Sequence, residues 1–212
     1  MDFGFTPEQD ELRTQARRFL DAELPLDRIL AWSSDPARID RALWTRVADL
    51  GWTGLTVPEA HGGLGLGAVD LIVLLEEFGR SLCPLPLAST DLAVAALTAL
   101  GSDAQQAAWL PKIVSGDVVA TVAILETSDV PTADGIAARA AARGSDVALG
   151  GEKLFVPDGQ HADLLLIAAR EADSVSLFAV PADTPGVTVS SLVVVDATKP
   201  AAAVRLADAV VP

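Results

Sequence analysis

Along the first half of the chain, apolar residues recur at the spacing of helix faces. Leu12, Ala16, Phe19 and Leu20 share one stripe that ends before Pro25. Thr6-Pro7-Glu8-Gln9 marks its start. Thr6 can accept from an orphan backbone N–H, Pro7 suits the first helical position, and Gln9 can close a capping box. Ile39, Leu43, Val47 and Leu50 form a second stripe closed by Gly51; Val69, Ile72, Val73, Leu75 and Phe78 form a third closed by Gly79. A fourth helix is predicted from about Ser89 to Leu100, and a fifth from Ser102, with Gln105 three residues on, to a stop at Gly116.

From Val118 the pattern changes. Val118 to Leu125 is apolar and rich in β-formers. Val147–Leu149, Lys153–Val156, Leu164–Ala168, Val175–Val180 and Val187–Val195 are short runs punctuated by Gly, Asp and Pro. Strands at this spacing predict an antiparallel sandwich or barrel. Ala133 to Arg143 is alanine-rich, but Gly135 within it and the turn Gly144-Ser145-Asp146 after it favour loop plus strand over helix. The expected class is α+β: a helical domain over 1–117, then a small antiparallel β-barrel or sandwich over 118–212. No closing element is expected between the last of these strands and the stop at Val211-Pro212.

Composition narrows the function classes. The 212 residues are half hydrophobic, so a sizeable core is available, and the formal net charge is −14. No Lys/Arg cluster is present, which argues against nucleic-acid binding. The acidic balance disfavours anionic membranes, and no stretch reaches the roughly 18 apolar residues of a membrane span. The N-terminus meets Glu8, Asp10 and Glu11 early, unlike a secretory leader. One cysteine, Cys83, allows neither an intrachain disulfide nor a cysteine-based metal cluster. A cytoplasmic location is expected.

Local motifs carry little chemistry. Gly63-Leu64-Gly65-Leu66-Gly67-Ala68 has the spacing of a dinucleotide fingerprint. It lacks the strand that such a fingerprint follows, so it reads as a tight inter-helix loop. His61 and His161 have no companions at metal-ligand spacing, and no nucleophile elbow occurs. Cys83 reads as a small buried hydrophobe, and Asp196 with Lys199 as turn residues. Glu76-Glu77 lie about 100° apart on their helix, so one faces solvent while the other caps or pairs internally.

Longer segments carry a resemblance. Leu43-Trp44, Leu50-Gly51-Trp52, the run Leu55-Thr56-Val57-Pro58-Glu59-Ala60-His61-Gly62-Gly63-Leu64-Gly65-Leu66-Gly67 and Glu76-Glu77-Phe78-Gly79-Arg80 are similar to the N-terminal domain of acyl-CoA dehydrogenases. Gly101-Ser102-Asp103-Ala104-Gln105-Gln106 with Leu110-Pro111 and Gly116 resembles that domain's last helix. Gly151-Glu152-Lys153-Leu154-Phe155-Val156 with Ala162-Asp163, and Phe178-Ala179-Val180-Pro181 with Thr184-Pro185-Gly186-Val187, resemble the middle β domain.

The resemblance implies FAD-dependent α,β-dehydrogenation of an acyl-CoA thioester. A glutamate takes the α-proton, the flavin takes the β-hydride, and an electron-transfer flavoprotein or similar acceptor reoxidises it. It also implies an oligomer, homo- or heteromeric. The C-terminal helical bundle that brings the base in this family has no counterpart in the sequence, so no catalytic residue is expected here. The remaining alternatives are a non-catalytic partner subunit and an acyl-CoA-binding module without redox activity.

Two segments align with flavin contacts. Ile124 and Leu125 lie on a family strand that normally carries a threonine at the Leu125 position, and Phe155-Val156-Pro157 aligns with an aromatic-Ile-Thr segment. Both hydroxyls are absent. Val130-Pro131-Thr132 stands where the family's phosphate loop falls, or Ser128-Asp129 supplies it with a shortened loop. Leu82 to Ala88 aligns with the acyl-pocket helix, so Leu85, Leu87 and Thr90 are the expected acyl contacts. Pro84 and Pro86 cannot both sit inside a regular helix. The pocket wall is therefore expected to be remodelled for a bulky or branched acyl group, unless the prolines simply occupy a loop.

Overall fold

The computed structural model describes residues 4–35 and 39–212. Its helical half contains α1 (Pro7–Glu23), α2 (Leu26–Ser33), α3 (Arg41–Asp49), α4 (Ala68–Arg80), α5 (Leu87–Leu100) and α6 (Asp103–Val114). Thr6 caps α1: its hydroxyl accepts from Gln9 N while Gln9 Oε1 accepts from Thr6 N, and Ser102 and Gln105 repeat the device at α6. α2 was not expected. It has eight residues and buries only Ile29 and Trp32, too short a stripe to register as a period.

Gly79 does not end α4, which continues to Arg80. A Cβ at Gly79 would meet nothing within 4 Å, so this glycine is neither a cap nor a close approach. Its neighbour Arg80 extends the helix by pairing with Glu77 at 2.8 Å and Asp21 at 2.6 Å.

The β half contains β1 (Ala120–Ala123), β2 (Arg139–Arg143), β3 (Asp146–Pro157), β4 (Leu164–Glu171), β5 (Ser174–Pro181), β6 (Val187–Ser191) and β7 (Ala201–Val211). They form one seven-stranded sheet. Pairing is antiparallel for β2–β3, β3–β7, β4–β5 and β6–β7, but β1 runs parallel to β4 and β2 meets β4 in a single parallel pair. The sheet is therefore mixed rather than wholly antiparallel. The two runs Val147–Leu149 and Lys153–Val156 belong to one bulged strand, β3. The run toward Val195 stops as a strand at Ser191, and Val193 and Val195 are fully exposed. β7 closes the sheet against β3 and β6 and was not anticipated.

The two halves share a core. Val57, Ala93, Val94, Leu97, Leu110 and Ile113 from the helices pack with Val118, Ala120, Val122, Leu164 and Leu166. The chain crosses between them at Gly116, which takes φ 76° and lies against Trp44 and Ala48. Separate clusters centre on Trp44, Leu55 and Leu74 in the helices and on Leu149, Leu165 and Val204 in the sheet.

Candidate functional site

The two segments with flavin-like sequence lie far apart in the chain, and the fold stitches them together. Glu126 follows β1 and is buried. Its carboxylate accepts from Ala137 N at 2.9 Å, Ala138 N at 3.0 Å and Lys153 Nζ at 2.5 Å. Lys153, on β3, has no exposed side chain and also donates to Ile124 O at 3.2 Å. Leu154 N donates to Leu125 O at 2.9 Å, and Thr121 Oγ1 to Pro157 O at 2.7 Å. Burial pulls Lys153 below the usual lysine range. Burial also acts to raise Glu126, but the Lys153 ammonium and the two backbone N–H groups outweigh it and hold the carboxyl below its usual range. The carboxylate sets the state of the pair, because three donors converge on it. It is ionised and fully engaged, which fits an anchor and not a proton-abstracting base.

A bulge shapes the second segment. The register of β3 on β7 shifts between Lys153 and Val156. Phe155 sits in the shift at φ 52° with its side chain half exposed, whereas Val156 points into the sheet core at 1% exposure. A bulky residue at positive φ is strained by about 1–3 kcal/mol and is held there by the pairing around it. Of the five flavin candidates, Phe155 and Pro157 are exposed, Ile124 and Leu125 are half-buried, and Val156 can offer a cofactor only its backbone. The partly exposed side chains are all apolar. They suit the face of a flat ring such as a flavin's, and none can donate to its edge. Beside them is a cleft of about 310 Å³ whose lining includes Glu126, the hydroxyl residues Thr127 and Ser128, Gly135, Gly151 and Glu152. Ser128 Oγ donates to Gly135 O at its rim, so the Ser128-Asp129 alternative for the phosphate loop lies next to the stitched segments.

Polar contacts clamp this corner to the helices. Asp158 takes φ 53° and is buried, and Ser89 Oγ on α5 donates to its Oδ2 at 2.7 Å. Burial raises the Asp158 carboxyl above its usual range. Lys199 Nζ donates to Cys83 O at 2.7 Å. Arg41 makes two bonds of 2.9 Å to Asp163, which also accepts from Val119 N.

The three acyl candidates are buried in this chain. Leu85 and Leu87 are in the helical core, and Thr90 is 1% exposed with no hydrogen-bond partner for its hydroxyl. Both prolines lie in the loop between α4 and α5, since α5 begins immediately after Pro86. The outward positions there are Leu82, Ala88, Leu92 and Ala95. α5 is apolar on both sides although only one is covered, as expected of a helix that packs on two partners. The signal was available in the run Leu92 to Leu100, where the only polar residue is Thr98.

The remaining sequence features are structural. A Cβ on Gly63 would come within 2.1 Å of Val57 O, so the glycine run packs tightly before α4 and follows no strand. Glu77 is buried and held by Arg17 and Arg80, and these arginines keep its carboxyl down at about 2, whereas Glu76 is exposed and pairs with Arg13. Among the described residues no group of three or more His, Cys, Asp or Glu could hold a metal ion, and no helix is long and apolar enough to cross a membrane.

Residues 6–117, more than half of the chain, match the family model described as "Acyl-CoA dehydrogenase, N-terminal domain". The chain is 32% identical over 194 residues to acyl-CoA dehydrogenase FadE27 of Mycobacterium tuberculosis, covering 91% of this chain and 50% of the relative. It is 29% identical over 182 residues to mitochondrial isovaleryl-CoA dehydrogenase of Pongo abelii, covering 84% and 42%. Among solved structures, a variant of the Tcur3481–Tcur3483 steroid ACAD superposes with TM-score 0.85 at 34% identity, covering 96% of this chain and 55% of that one. An acyl-CoA dehydrogenase from Geobacillus kaustophilus gives TM-score 0.89 at 25% identity, covering 100% and 58%. The chain thus spans half or less of these curated relatives and little more than half of the solved chains. With the family model matching most of the helical half and the fold shared throughout, the chain belongs to the acyl-CoA dehydrogenase family.

Proposed function

We propose that this chain provides the N-terminal helical part (1–117) and middle β part (118–212) of an FAD-dependent acyl-CoA dehydrogenase. One observation carries the reading: Ile124-Leu125 and Phe155-Pro157 are brought side by side and fastened through the buried Lys153–Glu126 pair. When bound, the flavin supplies the hydride acceptor. The chain's own residues supply an apolar seat, hold that seat against the helices through Ser89–Asp158 and Arg41–Asp163, and exclude water behind it. The seat has no side-chain donor, so the chain alone is expected to hold FAD weakly. It is also expected to turn nothing over, because Glu126 is engaged by three donors and no other acid here stands in the base's segment of the family.

A bulky acyl group is the favoured substrate class. Pro84 and Pro86 turn the wall between α4 and α5 into a loop, and the solved relative at 34% identity is named as a steroid ACAD. The missing hydroxyls at Leu125 and Pro157 also support a second reading. In it, the chain is the flavin-poor member of a heteromeric enzyme.

FAD binding to the purified chain, followed by quenching of flavin fluorescence, tests the seat. The double variant Leu125→Thr/Pro157→Thr restores two hydrogen-bond donors and is expected to tighten binding by about tenfold to a hundredfold. Unchanged affinity would show that the seat is misplaced. Turnover of any acyl-CoA ester by the chain alone, abolished by Glu126→Gln, would show that the base is misplaced.

A further inference from the structure

A groove of about 310 Å³ lies between the glycine-rich loop, the start of α4 and the second half of α5. Its walls are apolar, with Leu66, Leu71, Val94 and Ala95 among them, and its polar members include Thr56 and Asp91. None of the eight flavin or acyl candidates lines it. Its volume is at the lower end of the range that encloses small ligands, about 300–1,000 Å³.

Asp91 is half-buried on α5, and Thr56 Oγ1 donates to its Oδ1 at 2.5 Å. That bond fixes the carboxylate at the groove through one oxygen and leaves Oδ2 to face the groove's occupant. Among the described residues no lysine, arginine or histidine forms an ion pair with Asp91. Burial raises its carboxyl above the usual range, and the Thr56 bond only partly offsets this. A carboxylate kept partly from water and lacking a counter-charge is stabilised most by a cation placed against it. An apolar wall around such a group selects a cation carried on a compact hydrocarbon body.

We propose that this groove is a binding site for a compact apolar primary amine, its ammonium paired with Asp91 and its hydrocarbon body against Leu66, Leu71 and Val94. The site is separate from the flavin seat, and the proposal stands whether or not the chain binds FAD. The acidic net charge of −14 adds a general attraction for a cation and a bias against an anion of the same shape.

The test is isothermal titration of the 212-residue chain at neutral pH with 1-adamantylamine, and with 1-adamantanol and 1-adamantanecarboxylate as neutral and anionic isosteres. Saturable one-to-one binding is expected for the amine, at least about tenfold weaker binding for the alcohol, and none for the carboxylate. Asp91→Asn keeps an acceptor for Thr56 and should weaken the amine by about tenfold or more while leaving the alcohol unchanged. Ala95→Trp and, independently, Thr98→Trp place bulk at exposed positions of the wall and should abolish binding, with the far-ultraviolet spectrum retained. The proposal is overturned if the amine does not saturate. It is overturned equally if Asp91→Asn binds the amine as well as the parent does, or if both tryptophan variants bind normally. Sedimentation showing that the amine acts only by dissociating a self-associated chain would assign the groove to a second copy instead, and would also overturn it.

Discussion

Lys153→Met tests whether the junction of the two halves of the site depends on one buried charge pair. Lys153 has no exposed side-chain surface and Glu126 is 9% exposed, so water cannot replace the ammonium. Methionine fills most of the lysine stem's volume, which keeps the cavity contribution small. What remains is a buried carboxylate stripped of its cation but still holding the N–H groups of Ala137 and Ala138. Breaking one side of a buried pair costs about 3–5 kcal/mol, and the two surviving donors place this case near the lower end, about 3 kcal/mol. With a urea m-value of about 2 kcal/mol/M, the unfolding midpoint should fall by roughly 1.5 M.

The double variant Lys153→Met/Glu126→Gln removes the stranded charge as well. It should therefore be less destabilised than the sum of the two single variants, by at least about 1 kcal/mol. The pH dependence has a definite sign. Glu126 is held below its ordinary value in the parent, so its contribution is present above that ordinary value and is lost on acidification. Without Lys153 that dependence weakens, and the gap between parent and variant should narrow as the pH falls. A loss below about 1 kcal/mol at pH 7, or strictly additive variants, would refute the reasoning.

Three further outcomes are expected. Glu77, held at about 2 against an ordinary 4.5, contributes at most about 3.4 kcal/mol, and about 2 kcal/mol after allowing for the half-exposed Arg17 and Arg80. Glu77→Gln should show that loss in urea unfolding at pH 7 and a shrinking gap as the pH drops from 4.5 toward 2; a gap independent of pH contradicts it. Cys83 is fully buried, and burial pushes its thiol up to about 11, so a disulfide reagent at pH 8 should label it only in step with unfolding. Prompt labelling of the native chain would contradict that burial. Gly63→Ala forces a Cβ onto Val57 O and should cost more than about 3 kcal/mol, whereas Gly79→Ala, in open helix, should stabilise by about 0.5–1 kcal/mol. Thermal melts that move both variants in the same direction would count against these packing assignments.

The helical half was largely legible because its stripes are long and its caps specific. Thr6 with Gln9 and Ser102 with Gln105 close where their spacing says they should. α2 escaped because two buried side chains in eight residues make no period, and Gly79 misled because a glycine near a helix end need not be a cap. In the sheet, β7 alternates only in part: Ala202, Ala203 and Val204 are buried in succession, then Leu206, and then Ala209 and Val211 after Asp208 at φ 58°. That one-residue slip and the alanine-rich start hid the strand. Segment resemblance singled out the candidate flavin segments but could not say which side chains face outward. The bulge that exposes Phe155 and buries Val156 depends on how β3 registers against β7, and no local pattern encodes that. The burial of Leu85, Leu87 and Thr90 was hidden for a similar reason: proline geometry shows that a helix must break, and packing decides which neighbours then turn into the core.

The pairing of β3 with β7 also governs when the β half can form. Val147 pairs with Val211 and Pro157 with Ala201, so β3 depends for this ladder on the last strand in chain order. The β2–β3 and β4–β5 hairpins close over short loops and can form early, but the β3–β7 ladder must first meet a much larger loop-closure entropy. As the chain leaves the ribosome, Lys153 and the bulge at Phe155 therefore emerge on a strand with one hydrogen-bonding edge uncovered. Over that interval the nascent chain offers a template for intermolecular strand pairing, and slow synthesis or delayed arrival of β7 would favour aggregation over the closed sheet.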